Sequence, residues 1–288
     1  MKKFKYGLMI FILTGFTICH AEHAISVQNQ LAQLESISGG RIGISAINTG
    51  NNQQIQYRVN ESFPMQCTDK VIGVAAILKK NIQDNKLLQK RIYYKKNDLS
   101  DWSPITKKHL TDGMTVAQLC AAAISYSDNT AMNLLARMLG GPAGVNKFAR
   151  SIGDTHFKLD HWWPEEALSS PESKEDSSTP LAMNESLRKL VEGNVLAKPE
   201  QEMLVTWLKE NTTGGHRIRA GVPQNWIVGD KTGTGSYGAT NDIAVIWPPK
   251  CAPIFITIFY STNKKNAPHR EDVLASATRI LIHFYEKA

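Results

Sequence analysis

Strand-type and helix-type periodicity divide the sequence into three blocks, and the order of these blocks constrains the fold more than any other feature. Alternating apolar and polar residues near the start predict two strands, at 41–50 and 55–59, joined by an Asn/Gly-rich turn. Three more strand runs, 226–233, 242–247 and 254–260, lie near the end of the chain. Because helical periodicity fills the residues between them, both ends of the chain are expected to build one sheet.

The helical block predicts a second lobe inserted into that sheet. Its clear segments are 71–80, 116–124, 131–139, 182–191 and 200–209, with terminal helices at 28–36 and 273–285. The fold class is therefore α+β: a five-stranded, mostly antiparallel sheet flanked by N- and C-terminal helices, with an inserted all-α lobe. We expect residues 22–63 and 212–288 to form the α/β lobe, residues 64–211 to form the all-α lobe, and an active-site cleft to lie between them.

The N-terminal residues have the composition of a signal peptide. A basic start at residues 1–5 precedes the apolar run 7–18, and small residues at Cys19 and Ala21 follow it. The run is too short for a membrane-spanning helix. We therefore expect a signal peptide over residues 1–21, cleavage near Ala21, a periplasmic or secreted protein and no stable membrane anchor.

Charge and cysteine content restrict the classes of partner. The formal net charge of +7 includes three lysines of the leader, and no basic cluster is interleaved with aromatic residues, so no nucleic-acid partner is expected. The histidines are scattered without ligand spacing, which predicts neither a metal site nor a cofactor. Beyond the leader the cysteines are Cys67, Cys120 and Cys251, an odd number, so at least one thiol is free. Cys120 lies on an apolar helix as an inert core thiol, and Cys251 lies in an exposed turn.

Three short motifs carry candidate chemistry. The first, Cys-Thr-Asp-Lys over residues 67–70, begins the apolar helix 71–80, and its three-residue spacing places the first and last side chains on one helix face. The second, Ser-Asp-Asn over residues 127–129, lies between two helices. The third, Lys-Thr-Gly-Thr over residues 231–234, lies on a strand where small residues let a substrate approach the backbone.

The order and spacing of these motifs resemble the S-x-x-K, S-D-N and K-T-G set of class A β-lactamases and penicillin-binding proteins. The resemblance covers nearly the whole chain after the leader, including residues 63–65 and 211–215, and residues 241–248 are similar to a strand of the cefotaxime-hydrolysing members. It implies a monomeric enzyme that acts on a small β-lactam substrate without a cofactor.

The resemblance also implies a role for each motif residue. Cys67 would be the nucleophile at a helix N-terminus, and Lys70 would manage its proton. Ser127 would pass that proton to the leaving nitrogen, while Lys231 would stabilise the substrate carboxylate and this relay.

The remaining implied residues bind the substrate. The backbone N–H groups of Cys67 and Thr234 would form the oxyanion hole, at about 3 kcal/mol per donor. Asn129 would hold the substrate side-chain amide, and Trp102 would either flank the cleft entrance or serve in packing. The substrate-binding set is Asn129, Thr232, Gly233, Thr234 and Trp102. Arg217, Arg219 and Arg270 are all candidate partners for a substrate carboxylate, and the sequence does not choose among them.

Two departures from the family pattern affect the chemistry. Cys67 stands where the family has a serine, so acylation would give a thioester. In the loop that carries the family's deacylation base, a gapless alignment puts Trp163 at the base, Ala167 at an asparagine and His161 at an arginine that pins the loop to Asp176.

The loss of the base predicts slow deacylation, because general-base assistance is typically worth 10²- to 10⁴-fold. Glu165 is retained as a candidate base, and Glu166 is the alternative, if the loop is threaded differently by a residue or two. The leading hypothesis is a β-lactamase-like hydrolase that acylates on Cys67 with impaired turnover. The alternatives are a degenerate protein that binds β-lactams or peptidoglycan peptides, and a D-Ala-D-Ala peptidase, which the loop 160–180 disfavours.

Overall fold

The computed structural model describes residues 13–287. The helices are α1 Leu13–Ser38, α2 Lys70–Asn81, α3 Val116–Ser125, α4 Asn129–Leu139, α5 Pro142–Ser151, α6 Pro180–Val191, α7 Lys198–Lys209 and α8 Glu271–Glu286. The long strands are β1 Arg41–Asn48, β2 Gln54–Tyr57, β7 Ile227–Thr234, β8 Thr240–Trp247 and β9 Ile254–Ser261. Four short strands, β3 Phe63–Pro64, β4 Arg91–Ile92, β5 Met114–Thr115 and β6 Ser177–Ser178, form two small pairs.

The five long strands form one sheet in the order β2-β1-β9-β8-β7, and every neighbouring pair is antiparallel. The central pairing of β1 with β9 runs from Arg41 opposite Ser261 to Asn48 opposite Ile254. Both ends of the chain therefore meet in the middle of the sheet, which confirms the predicted α+β class. The strand that carries the Lys-Thr-Gly motif, β7, lies at an edge.

Helices cover both faces of the sheet, so β9 is buried along its whole length. Because side chains alternate along a strand, Phe255 and Phe259 pack into the core of the helical lobe, whereas Ile256 and Ile258 pack with α1 and α8 on the other face. Burial on both faces explains why β9 reads as a nearly continuous apolar run.

Two helices differ from the sequence predictions. The sequence predicted no helix at α5, which follows Gly140 and Gly141 and begins with Pro142, a residue suited to the first helical turn. Helix α1, Leu13–Ser38, extends toward the N-terminus beyond the predicted start at residue 28, since residues 16–27 contain no glycine or proline to break it.

The expected signal peptide overlaps the N-terminal boundary of the described chain. Its residues 1–12 lie outside the described residues, and the rest of it belongs to α1. Among residues 13–287, no helix combines the length and the apolar character needed to cross a membrane.

The short pair β3–β6 contributes to the position of the first motif. Phe63 pairs with Ser178 and Pro64 with Ser177, and the backbone N–H of Met65 donates to the carbonyl of Asp176. The segment that precedes Cys67 is thereby joined to the end of the loop 160–180. The segment before Cys67 and the end of the loop are held by the same backbone hydrogen bonds.

Candidate active site

Cys67 lies in a turn of 3₁₀ helix, Gln66–Asp69, that leads into α2. The positive end of the α2 dipole favours a negative charge at this position. Gln66, directly before it, has a φ of +52°, an uncommon conformation for a residue with a side chain. The half-buried Cys67 side chain faces a cleft of about 640 Å³.

The cleft draws its lining from both lobes. The lining residues are Cys67, Asp101, Trp102, Ser127, Asn129, Pro164, Glu166, Ala167, Thr212, Thr213, Arg217, Thr232 and Thr234. Trp102 is 64% exposed at the rim, and its indole N–H donates to the carbonyl of Tyr126 over 3.0 Å. Of the two roles considered for Trp102, its position fits the cleft entrance.

Lys70 is completely buried beside Cys67 and is held by the second motif. Its Nζ donates to the Ser127 carbonyl at 2.7 Å, to Ser127 Oγ at 3.3 Å and to Asn129 Oδ1 at 2.5 Å. The ammonium group is thus oriented by three oxygens and carries a positive charge close to the thiol.

Lys231 approaches the same serine from the sheet. Its Nζ donates to Ser127 Oγ over 2.9 Å, so this hydroxyl lies between the two lysines. Burial lowers the pKa of Lys231 to about 8, and the nearby charge of Lys70 acts in the same direction. A hydroxyl with an ammonium on either side is suited to passing a proton.

Asp128, between these two site residues, has a structural role. Its carboxylate caps α4 by accepting from the N–H of Ala131 at 2.9 Å, and it also accepts from the N–H groups of Ile105 and Thr106. These bonds hold Ser127 in its unusual conformation, with a φ of +56°.

The loop 160–180 is closed on itself by Asp176. His161 Nδ1 lies 2.7 Å from Asp176 Oδ2, and Ser169 Oγ donates to the same oxygen. The N–H groups of Asp160 and His161 donate to Oδ1. The hydrogen bond with Asp176 raises the pKa of His161, so histidine and aspartate form an ion pair at low pH.

Trp163 does not line the cleft; it packs in the core of the helical segments and is 1% exposed. Its indole N–H donates to Asp69 Oδ1 over 3.0 Å, and its backbone exchanges hydrogen bonds with the Asn133 side chain. The peptide bond between Trp163 and Pro164 is cis.

Of the two candidate carboxylates, only Glu166 contacts the Cys67 side chain. A short 3₁₀ turn, Glu165–Leu168, buries Glu166 completely, and its Oε1 accepts from Cys67 Sγ over 3.5 Å. Glu165, the candidate retained from the sequence, is exposed and lines a different groove with Arg137 and Trp162. No rethreading is needed, because the turn after Trp163 places the third residue on the cleft side.

Opposite electrostatic effects act on this pair. Burial raises the pKa of the Cys67 thiol, but the positive charges of Lys70 and Lys231 outweigh it, and the pKa lies below its ordinary value. Burial, followed by the charge of Cys67, raises the pKa of Glu166 well above the usual range of a carboxyl group. The two lysines therefore favour the thiolate form of Cys67, and burial favours the neutral form of Glu166.

Strand β7 brings the backbone of the third motif against the 3₁₀ turn Gln66–Asp69. A Cβ atom added to Gly233 would lie 2.8 Å from the Met65 carbonyl oxygen and 3.2 Å from the Cys67 nitrogen. Only glycine allows this approach. The Thr232 hydroxyl lies 2.5 Å from that of Thr213, and the next residues of β7 line the cleft.

Among the three candidate arginines, only Arg217 lines the cleft. Its guanidinium donates to the Gly233 carbonyl at 2.8 Å and to Thr234 Oγ1 at 2.6 Å. All three arginines are ion-paired: Arg217 with Glu271, Arg219 with Asp230 and Arg270 with Asp272. The sequence left the choice among them open, and Arg217 is the one whose guanidinium holds Thr234 at the cleft.

The structure brings together the residues of all three motifs that the sequence singled out, except that Glu166 takes the place considered for Glu165. The sequence did not select Thr212 or Thr213, which line the cleft after α7. Their only signal was the resemblance over residues 211–215. Within residues 13–287, no group of three His, Cys, Asp or Glu side chains is arranged to hold a metal ion.

Fold and site together define an α+β hydrolase with a cysteine side chain at a helix N-terminus, facing a cleft. A model described as the β-lactamase enzyme family matches residues 26–285. The β-lactamase OXY-1 of Klebsiella oxytoca is 52% identical over 258 residues, which cover 90% of this chain and 89% of that protein. The β-lactamase Toho-1 of Escherichia coli is 50% identical over 272 residues, covering 94% and 93%.

Solved structures agree with these relatives. The β-lactamase from Desulfarculus baarsii DSM 2075 has a TM-score of 0.91 at 43% identity and covers 92% of this chain and 99% of that one. A variant of the last common ancestor of Gram-negative bacteria β-lactamase class A has a TM-score of 0.87 at 48% identity, covering 89% and 97%. The chain belongs to the β-lactamase enzyme family, with class A members as its structural neighbours.

Proposed function

We propose that this chain hydrolyses β-lactams through an acyl thioester on Cys67, with Glu166 as the general base that completes turnover. The observation that carries the proposal is the 3.5 Å contact between Cys67 Sγ and Glu166 Oε1 inside the cleft. Family membership supports the reaction class, and this contact supports the particular residues.

Acylation begins with the thiolate of Cys67. The sulfur attacks the lactam carbonyl carbon, and the backbone N–H groups of Cys67 and Thr234 stabilise the oxyanion. The carbon–nitrogen bond then breaks, and Ser127 Oγ transfers its proton to the leaving nitrogen. Lys70 and Lys231, which both donate to Ser127 Oγ, stabilise it as it loses this proton. The Lys70 ammonium then returns a proton to Ser127. The proton that Glu166 took from the Cys67 thiol restores the Lys70 ammonium, which leaves Glu166 ionised for the next step.

Deacylation requires a water and a base. Glu166 Oε2 has no hydrogen-bond partner among the described residues, so this oxygen is available to a water molecule. The ionised carboxylate takes a proton from the water, the resulting hydroxide attacks the thioester carbonyl, and the carbon–sulfur bond breaks to release the thiolate of Cys67. The product is the ring-opened acid.

Glu166 changes the expectation drawn from the sequence. Trp163 at the family's base position predicted a stalled acyl-enzyme, whereas the carboxylate three residues later supports complete turnover. The proposed substrates carry the acyl amide and the carboxylate that Asn129 and Arg217 are positioned to bind. We further propose that the chain acts as a monomer in the periplasm or outside the cell, as the composition of residues 1–21 supports.

The test is a time course of intact mass and product release with benzylpenicillin. The parent protein is expected to turn over with a transient adduct on Cys67, and Glu166→Gln is expected to retain the adduct because deacylation slows by about 10²- to 10⁴-fold. Glu165→Gln, the matched control on the exposed neighbour, is expected to behave like the parent.

Each other outcome rejects part of the proposal. Neither adduct nor product in the parent protein would reject β-lactam chemistry. An adduct on the parent protein that lasts as long as the adduct on Glu166→Gln would instead support the alternative of a degenerate protein that binds β-lactams without turnover. Turnover that persists in Cys67→Ala would exclude Cys67 as the nucleophile.

A further inference from the structure

A hydrogen bond of the Trp163 indole joins the loop 160–180 to the 3₁₀ turn Gln66–Asp69, which contains Cys67 and is called the nucleophile turn below. Its Nε1 donates to Asp69 Oδ1 over 3.0 Å, and Asp69 is the residue between Thr68 and Lys70 in the first motif. Both side chains are buried, at 1% and 0% exposure. A buried tryptophan requires a partner for its one N–H group, and Asp69 supplies it.

We propose that Asp69 and Trp163 form a positioning pair, which sets the turn after Trp163 so that Glu166 faces Cys67. This inference rests on the proposed role of Glu166 as the deacylation base. Neither residue touches the reacting atoms; both act through Glu166.

The backbone contacts of Trp163 support this role. Asn133 of α4 accepts from the Trp163 N–H at 3.2 Å and donates to its carbonyl at 2.7 Å. The loop is thus fixed to the helical lobe at the backbone and to the nucleophile turn at the indole. Trp163 is held on two sides directly before the turn that carries Glu166.

The turn itself is short and has few restraints of its own. The N–H of Glu166 donates to the Trp162 carbonyl at 3.3 Å, and the N–H of Ala167 donates to Pro164 at 3.0 Å. Both bonds are local, so they shape the turn without aiming it. After Glu166, the N–H of Ser236 donates to the Ala167 carbonyl at 2.9 Å. The direction of Glu166 therefore depends on the anchor of Trp163 before it together with this bond after it.

The environment of Asp69 favours a neutral side chain that still accepts the hydrogen bond of the Trp163 indole. Burial raises the pKa of Asp69 well above its ordinary value, and the charge of Glu166 acts in the same direction. The raised pKa favours the neutral form of Asp69, whose Oδ1 still accepts from the indole. Asparagine would reproduce this neutral acceptor at almost the same volume.

The experiment measures acylation and deacylation rates separately, with benzylpenicillin in single-turnover and chase reactions followed by intact mass. Trp163→Phe removes the donor and Asp69→Leu removes the acceptor. Each is expected to slow deacylation by about 10- to 100-fold, because small displacements of a reacting group have effects of that size. Acylation is expected to change by less than about threefold, since Lys70 and Ser127 keep their contacts.

Two further variants separate positioning from a loss of packing. Asp69→Asn keeps the acceptor oxygen and is expected to retain the parent deacylation rate. The double variant Trp163→Phe/Asp69→Leu is expected to be no slower than the worse single variant, because both changes remove the same hydrogen bond. Trp162→Phe, on the half-exposed neighbouring tryptophan, is the matched control and should match the parent.

The outcomes distinguish this inference from the function on which it rests. If Glu166→Gln deacylates normally, the proposed base is wrong and the positioning role falls with it. If Glu166→Gln stalls while Trp163→Phe and Asp69→Leu deacylate normally, only the positioning role is wrong. Equal losses in acylation and deacylation, or an Asp69→Asn as slow as Asp69→Leu, would also overturn it. If Asp69→Leu does not fold, Trp163→Phe and Asp69→Asn still decide the question.

Discussion

The sulfur of Cys67 lies 3.5 Å from Oε1 of Glu166, so the nucleophile and the carboxylate share one hydrogen bond in the free protein. Burial acts to raise the pKa of both groups, but the two lysines bring the pKa of the Cys67 thiol below its ordinary value, whereas the charge of Cys67 raises the pKa of Glu166 further. In the proposed mechanism, acylation converts the thiolate into a neutral thioester. The charge that helps to raise the pKa of Glu166 is then gone, and the carboxyl group ionises more readily when the base is needed.

Deacylation is expected to fall as the pH drops through the pKa of Glu166 in the acyl-enzyme. The base must be ionised, and burial still holds this pKa above the ordinary value of 4.5. The deacylation rate is therefore expected to be maximal at high pH and to fall at a pH higher than the one at which an exposed glutamate would become protonated. The decay rate of preformed acyl-enzyme, measured as a function of pH, tests this prediction. A decay rate that stays constant down to pH 4.5 would contradict it.

Acylation is expected to weaken as the pH rises through about 8, the pKa to which burial lowers Lys231. The ammonium form, present below this pH, donates to Ser127 Oγ, and in the proposed mechanism it also stabilises a substrate carboxylate. The decrease of kcat/KM at basic pH, measured with a carboxylate-bearing penicillin, reports this loss of acylation. In Lys231→Arg the decrease should occur at a higher pH, because arginine stays charged. A basic limb at an unchanged pH in that variant would assign it to another group.

Alkylation by iodoacetamide is expected to abolish turnover through Cys67. Its thiol is half-buried at the cleft with a lowered pKa, whereas Cys120 is buried with a raised pKa. Cys251 is exposed and should be modified without loss of activity. Peptide mapping with residual activity measures this, and Cys251→Ser should inactivate like the parent. Cys67→Ser should form an ester adduct and resist the reagent; inactivation of that variant would place the sensitive thiol elsewhere.

The loop 160–180 is expected to loosen as the pH rises through the pKa of His161. Its hydrogen bond with Asp176 raises this pKa above 6.5, so the stabilisation is complete below 6.5 and is lost as the histidine becomes neutral in the folded protein. Hydrogen exchange of the loop amides against pH measures the change. His161→Arg should remove the pH dependence, because arginine does not titrate in this range. Equal pH dependence in both proteins would exclude the pair as its source.

Much of the site could be predicted from short-range pattern. Cys67 and Lys70 share a helix face because of their spacing, and the motif at 231–234 allows close approach because it contains Gly233. The sequence did not distinguish Arg217 from Arg219, because their partners, Thr234 and Asp230, are set by the pairing of distant segments. The same limit applied to Thr213, whose contact with Thr232 is made only in the folded chain.

The sequence by itself determined the fold class and the residues of the three motifs, because periodicity and spacing act over a few residues and leave local signals. Only the tertiary structure decided which carboxylate faces Cys67. Glu165 and Glu166 are neighbours of equal chemistry, and their directions follow from the burial of Trp163 against Asp69 and Asn133 on other segments. That packing exposes Glu165 and turns Glu166 toward the sulfur. The local sequence pattern is the same for both residues, so it could not predict which of them faces Cys67.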